Sequence, residues 1–248
     1  MQWSELVAPA SRDVILIGGS QGSIAALKTV LGGLPSRFHA AIGVTIHRSA
    51  TVVSRLAEVF SVCSKMPVVE PSHGQRFESG IVYLAPQDHH MILRYGAVWL
   101  DRGPKHHFVR PAIDVMFSSG AIAYGPRVIG VLLTGNLSDG VAGLVSIKGH
   151  GGLSLVQDPS DAEAPSMPMN AVAYDNVDAM FQVPAGSRVL TKLVAGAGIS
   201  EATAVDGARR LPPNSARLNS ANGGVAFGSK RSSPGAALAN ELRFLRRR

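Results

Sequence analysis

The chain has 248 residues, 46% of them hydrophobic, enough for one large domain with a sizeable buried core. No apolar run reaches 18 residues, and the opening MQWSELVAPASRD lacks the basic and apolar regions of a signal peptide, which argues against a membrane span or secretion and makes the cytoplasm the expected location. The net charge of +7 collects after residue 200, where nine basic residues face three acidic ones, so the folded part carries no basic footprint for nucleic acid.

From residue 13, apolar runs of strand length alternate with helical patterns, the signature of repeated strand-helix-strand units. DVILIGG reads as a first strand, followed by a helix through SIAALKTVLGGL in which Ile24, Leu27, Leu31 and Leu34 recur at helical spacing. AAIGVTIH is a second strand and TVVSRLAEVFSVC a second helix, with the single cysteine, Cys63, expected in an apolar structural role. Between Val68 and Arg102 the pattern shortens: GIVYLAP and HMILRYGAVWLDR predict a small antiparallel insertion, the latter a hairpin turning at Tyr95 and Gly96. Then come a helix over RPAIDVMFSSGAIAYG with Pro111 in its first turn, strand RVIGVLLTG, helix DGVAGLVSIKGH, strand GLSLVQD, a helix near MPMNAVAY, a short strand at AMFQV and a helix near SRVLTKLVAG. This predicts an α/β fold, a doubly wound, mostly parallel sheet of Rossmann-like form, over residues 10–197. Residues 198–248 read as a basic, low-complexity, disordered tail ending in a short basic helix, ALANELRFLRRR.

Gly18, Ser20 and Gly22 spell G-x-S-x-G on the first strand-to-helix turn. Three readings fit the turn alone: a serine nucleophile, a serine that caps the helix, and a dinucleotide cradle. The last needs a glycine where Ser20 stands and an acidic residue closing the second strand, which ends instead in VTIHRS. A nucleophilic serine needs a base and a carboxylate from the same carboxyl edge of the sheet. His47 ends the second strand there. His39 precedes its strand, His150 lies about 15 Å of helix away from that edge, and His73 has no arguable placement. His89, His90, His106 and His107 are expected at the surface or the substrate rim, with no metal site. Asp139, in TGNLSDG, is the candidate orienting acid, with a helix N-cap as its structural alternative. Gln21, Gly22 and Asn136 are candidate substrate or oxyanion contacts, and Arg48 is either a contact to an acidic surface or a solvated charge.

These blocks, VILIGGSQGS, VTIHRS, GIVYLAPQDHHMIL, RPAIDVMFSSGA, GVLLTGNLSDGVAGL and LVQDPSDAEAPSMPMNAV, resemble in order and spacing the catalytic domain of CheB, the protein-glutamate methylesterase of bacterial chemotaxis. The resemblance implies a Ser20-His47-Asp139 triad that hydrolyses glutamyl methyl esters on chemoreceptor helices, with glutamine deamidation as a related activity and no cofactor. It implies methyl-accepting chemoreceptors or a related methylated protein as partners, and neither nucleic acid nor membrane insertion. About a dozen residues precede the first strand, so the family's receiver domain is not expected in cis and a response regulator acting in trans is. The chain departs from the family's pattern at Gln21 and Ser23 after the serine, at Arg48 and Ser49 after the histidine, at Asn136 and Leu137 before the aspartate, and at Val109. These departures keep a second reading open, a catalytically reduced domain that serves as a binding or scaffold module.

Overall fold

The computed structural model describes residues 11–212 apart from 53, 95, 175 and 176. The expected terminal helix and Tyr95 of the hairpin turn lie outside the described residues. The strands are β1 Val14–Gly19, β2 Ala41–Ile46, β3 Val68–Val69, β4 Gln75–Arg76, β5 Val82–Leu84, β6 His90–Arg94, β7 Ala97–Asp101, β8 Val128–Leu132, β9 Leu153–Gln157, β10 Ala179–Phe181 and β11 Ala208–Arg210. The helices are α1 Ser23–Gly33, α2 Leu56–Cys63, α3 Ile113–Tyr124, α4 Val141–Gly149, α5 Ser166–Tyr174, α6 Val183–Val194 and α7 Ile199–Ala202.

The main sheet runs β11-β10-β9-β8-β1-β2-β5-β3, and all its pairings are parallel except β10 with β11. β1 is the hinge of the order: the chain winds outward from it through β2 on one side and later returns to its other side as β8. A crevice therefore opens beyond the carboxyl ends of β1, β2 and β8, where ligands settle in such sheets.

β1 is apolar at every position because both its faces are covered. Ile15 and Ile17 pack with Leu27, Leu31, Val189 and Leu190 into one buried layer, while Val14 and Leu16 join Met116, Phe117 and Leu144 in the other. α1 buries Ser23, Ala26, Leu27, Val30 and Leu31, so Ile24, expected on the buried stripe, instead faces outward. Cys63 is half-buried against the first layer, in the expected structural setting.

Three expectations change. GIVYLAP does not belong to the insertion: β5 pairs with β2 in parallel, and only β4, β6 and β7 form the small antiparallel sheet. Pro111 stands two residues ahead of α3, whose N-cap is Ala112, because Asp139 takes the first free amide hydrogens of the helix. The ordered chain also passes the boundary expected at residue 197, since α7 leads to β11 on the sheet edge. Among the described residues no helix is long and apolar enough to cross a membrane.

Candidate active site

The parallel register sets Gly19 beside Ile46, so the next residues of both strands, Ser20 and His47, emerge side by side. His47 N–H donates to Gly19 O at 3.2 Å and Ser20 N–H to Thr134 O at 3.0 Å, which ties the ends of β2, β1 and β8 into one edge. Gly22 takes a left-handed φ of 77° and caps α1 without any side-chain bond, while Ser20 stays out of that region. The cap reading of Ser20 therefore fails, and its hydroxyl is directed elsewhere.

That hydroxyl lies 3.2 Å from His47 Nδ1, and His47 Nε2 lies 2.6 Å from Asp139 Oδ2. A carboxylate only accepts, so it fixes the tautomer with the proton on Nε2 and leaves a lone pair on Nδ1 facing Ser20. Asp139 is 3% exposed and caps not its own helix but α3: Oδ2 accepts from Ile113 N–H at 2.8 Å and Oδ1 from Asp114 N–H at 3.0 Å. Burial acts to raise its carboxyl, but the hydrogen bonds from His47 and from the two amides outweigh burial and hold it below the usual carboxylate range.

Asp114 returns the favour. This residue, 2% exposed in the first turn of α3, accepts from Gly140 N–H at 2.9 Å and Gly143 N–H at 2.7 Å, the start of α4. Each helix thus has its positive end closed by a carboxylate from the other. Burial is the largest influence on Asp114 and pushes its carboxyl up, opposed by His107 at 3.4 Å and reinforced by the nearby Asp139 charge. Sequence reasoning missed Asp114, whose only local signal was an acidic residue in a helix's first turn, within RPAIDVMF.

The turn after β8 is braced from behind. Thr134 N–H donates to Gln157 Oε1 at 2.9 Å, Gly135 N–H to Ala164 O at 2.9 Å and Leu137 N–H to Ser166 Oγ at 3.1 Å. Gly135 is required by close approach, since a Cβ there would stand 2.8 Å from that of Ser20. The amides at 135 and 137 are therefore already engaged, and Gln21 N–H is the amide beside Ser20 with no acceptor among the described residues. Asn136 Nδ2 donates to Gln21 Oε1 at 2.8 Å across the exposed mouth, so these two candidates meet each other. Gly22, Ile24, Lys28 and Glu163 line a groove of about 660 Å³ in front of Ser20 and His47. The Arg48 side chain is 6% exposed, so it is not a solvated charge.

Of the other histidines, His90 departs from expectation. It is buried, spans from Pro104 O at Nε2 to Ala112 N–H at Nδ1, and burial lowers its pKa. Among the described residues no group of three histidine, cysteine or acidic side chains is placed to hold a metal ion.

Residues 15–187 match the family model described as CheB methylesterase. The chain belongs to the CheB methylesterase family. It is 36% identical over 167 residues to a Leptospira interrogans relative, covering 67% of this chain and 86% of the relative. It is 37% identical over 183 residues to the protein-glutamate methylesterase/protein-glutamine glutaminase 2 of Anaeromyxobacter dehalogenans, covering 73% of this chain and 54% of that protein. The solved Thermotoga maritima CheB methylesterase catalytic domain superposes with a TM-score of 0.67 at 29% identity, over 75% of this chain and 98% of that domain. The CheB fold thus accounts for the mostly parallel sheet, its flanking helices and the crevice at the ends of β1, β2 and β8.

Proposed function

We propose that the chain is a serine hydrolase that removes methyl esters from glutamyl side chains of chemoreceptor cytoplasmic helices, or of a related methylated protein, in the cytoplasm, with glutamine deamidation by the same route. The observation that carries this reading is His47 suspended between Ser20 Oγ and Asp139 Oδ2 at 3.2 and 2.6 Å. Its family membership supplies the substrate class.

Ser20 Oγ attacks the ester carbonyl as Nδ1 of His47 takes its proton, and Asp139 stabilises the resulting imidazolium. The oxyanion is received by the Gln21 amide at the start of α1, where the helix end favours negative charge. Collapse of the tetrahedral intermediate returns the proton from His47 to the leaving methoxide, which departs as methanol. Water then gives a proton to His47 and its oxygen to the acyl carbon, and the glutamate carboxylate is released with Ser20 restored. With a glutaminyl side chain the leaving group is ammonia.

Ser20→Ala tests the assignment. Methanol release from a methylated receptor fragment falls by about 10⁵-fold or more, as for nucleophile loss in other triads, while the circular dichroism spectrum and melting temperature stay those of the wild type. Wild-type rates in this variant would remove Ser20 from the role.

A further inference from the structure

A second cavity, of about 90 Å³, shares with the Ser20 groove only His47 among its lining residues. Its polar lining is His47 with three cations, Arg48, Lys105 and Arg110, closed by the apolar surfaces of Phe108 and Pro111. Two of these cations already have carboxylates. Arg110 donates to Asp88 Oδ1 through Nε and Nη2, at 2.9 and 2.6 Å, and the bonds from Arg102 and Arg110 hold the Asp88 carboxyl down at about 2. Arg48 spends Nη2 on Glu70 Oε1 and Ala85 O, each at 2.7 Å.

The remaining nitrogens of Arg48 are the anomaly. Nε and Nη1 are buried and meet no acceptor among the described residues. Buried donors on a charged group are seldom left unanswered, because desolvation without a partner is costly. Lys105, on the exposed rim of the same cavity, has no carboxylate partner among the described residues. The cavity's size suits a carboxylate and its adjoining methylene, with room for about three waters' volume in all. The apolar walls suit the methylene, and the two unanswered donors of Arg48, which lie on different edges of the guanidinium, each suit an oxygen acceptor.

We infer that this cavity is a carboxylate subsite, which receives an acidic side chain of the protein substrate lying next to the esterified glutamate. The inference rests on the esterase reading for what lies in the neighbouring groove.

The test is binding, which does not require turnover. Two helical peptides carry a glutamyl methyl ester, one with glutamates and the other with glutamines on both sides of it, and each is titrated into the full chain bearing Ser20→Ala. The glutamate peptide binds about tenfold more tightly at low salt. That preference falls to about one when Arg48→Gln or, at the exposed rim where folding is not at stake, Lys105→Gln is added, and it survives the remote charge change Lys192→Gln. Equal affinity for the two peptides, or a preference that persists in both subsite variants, overturns the inference. So does stabilisation by acetate alone, lost with Arg48→Gln, when the peptides are not distinguished. Methanol release by the wild type is scored separately: its absence beside intact peptide discrimination removes the esterase reading and leaves the subsite standing.

Discussion

The two sides of His47 are built on different principles. Toward Asp139 the polar atoms are buried and answered: the four carboxylate oxygens of Asp139 and Asp114 accept from His47, from the amides of Ile113, Asp114, Gly140 and Gly143, and from His107. Toward the mouth the side chains face solvent, and Gln21 and Asn136 satisfy each other. In a low-dielectric interior an unanswered polar group is expensive, so substitutions that remove a partner on the buried side are costly, while exposed amides exchange partners with water at little cost. The difference teaches where orientation is stored. The imidazole is aimed by the helix-capping carboxylates behind it, and the rim is left adjustable for a substrate.

Breaking the buried side produces the largest effects. Asp139→Asn lowers kcat by about 10⁴, because an amide no longer enforces the proton on Nε2; a loss under tenfold would move the orienting role elsewhere. Asp114→Ala leaves the Gly140 and Gly143 amides without their acceptor, and urea unfolding reports a loss of about 2–4 kcal/mol together with a lower kcat. Asp114→Asn keeps an acceptor oxygen and costs under about 1 kcal/mol, so similar losses for the two variants would contradict the cross-capping account.

The same pair sharpens the comparison through pH. An acid whose folded-state pKa is raised binds its proton more readily in the native state, so stability is greatest at low pH and declines as pH rises through the unfolded value of about 3.9. Asp114 has this sign. Asp139, held low, has the opposite sign and adds stability above that value that is lost as pH falls. Urea midpoints of Asp114→Asn therefore gain on the wild type as pH rises above 4, whereas those of Asp139→Asn lose ground to it as pH rises toward 4 from below. At the rim the expected effect is smallest: a double-mutant cycle of Gln21→Ala and Asn136→Ala gives a stability coupling below about 1 kcal/mol, and a larger value would place that exposed bond among the structural ones.

The sequence made one half of this site legible. Ser20, His47 and Asp139 each follow a strongly apolar strand, and strand ends on one edge of a parallel sheet are brought together by register alone. The cross-capping was not legible, because Asp114 reaches Gly140 and Gly143 from 26 and 29 residues away, and no local pattern encodes the packing of α3 against α4. His90 was hidden for the same reason, its partners lying 14 and 22 residues on. β5 is three residues between turns, too short for its pattern to distinguish a buried parallel strand from a hairpin arm. β11 looked like tail because an edge strand presenting Arg209 and Arg210 to solvent is charged where a central strand is apolar. The departures at Gln21 and Asn136 were visible one at a time, but their bond to each other was not.

The central claim is that Ser20 is activated by a histidine held from behind. A fluorophosphonate probe, with the adduct located by mass spectrometry, tests it without any assumption about the natural substrate. A single adduct is expected on Ser20, forming at least a hundredfold more slowly in His47→Gln. An unmodified Ser20, or labelling at the same rate without His47, would contradict it and leave a binding module in the place of an enzyme.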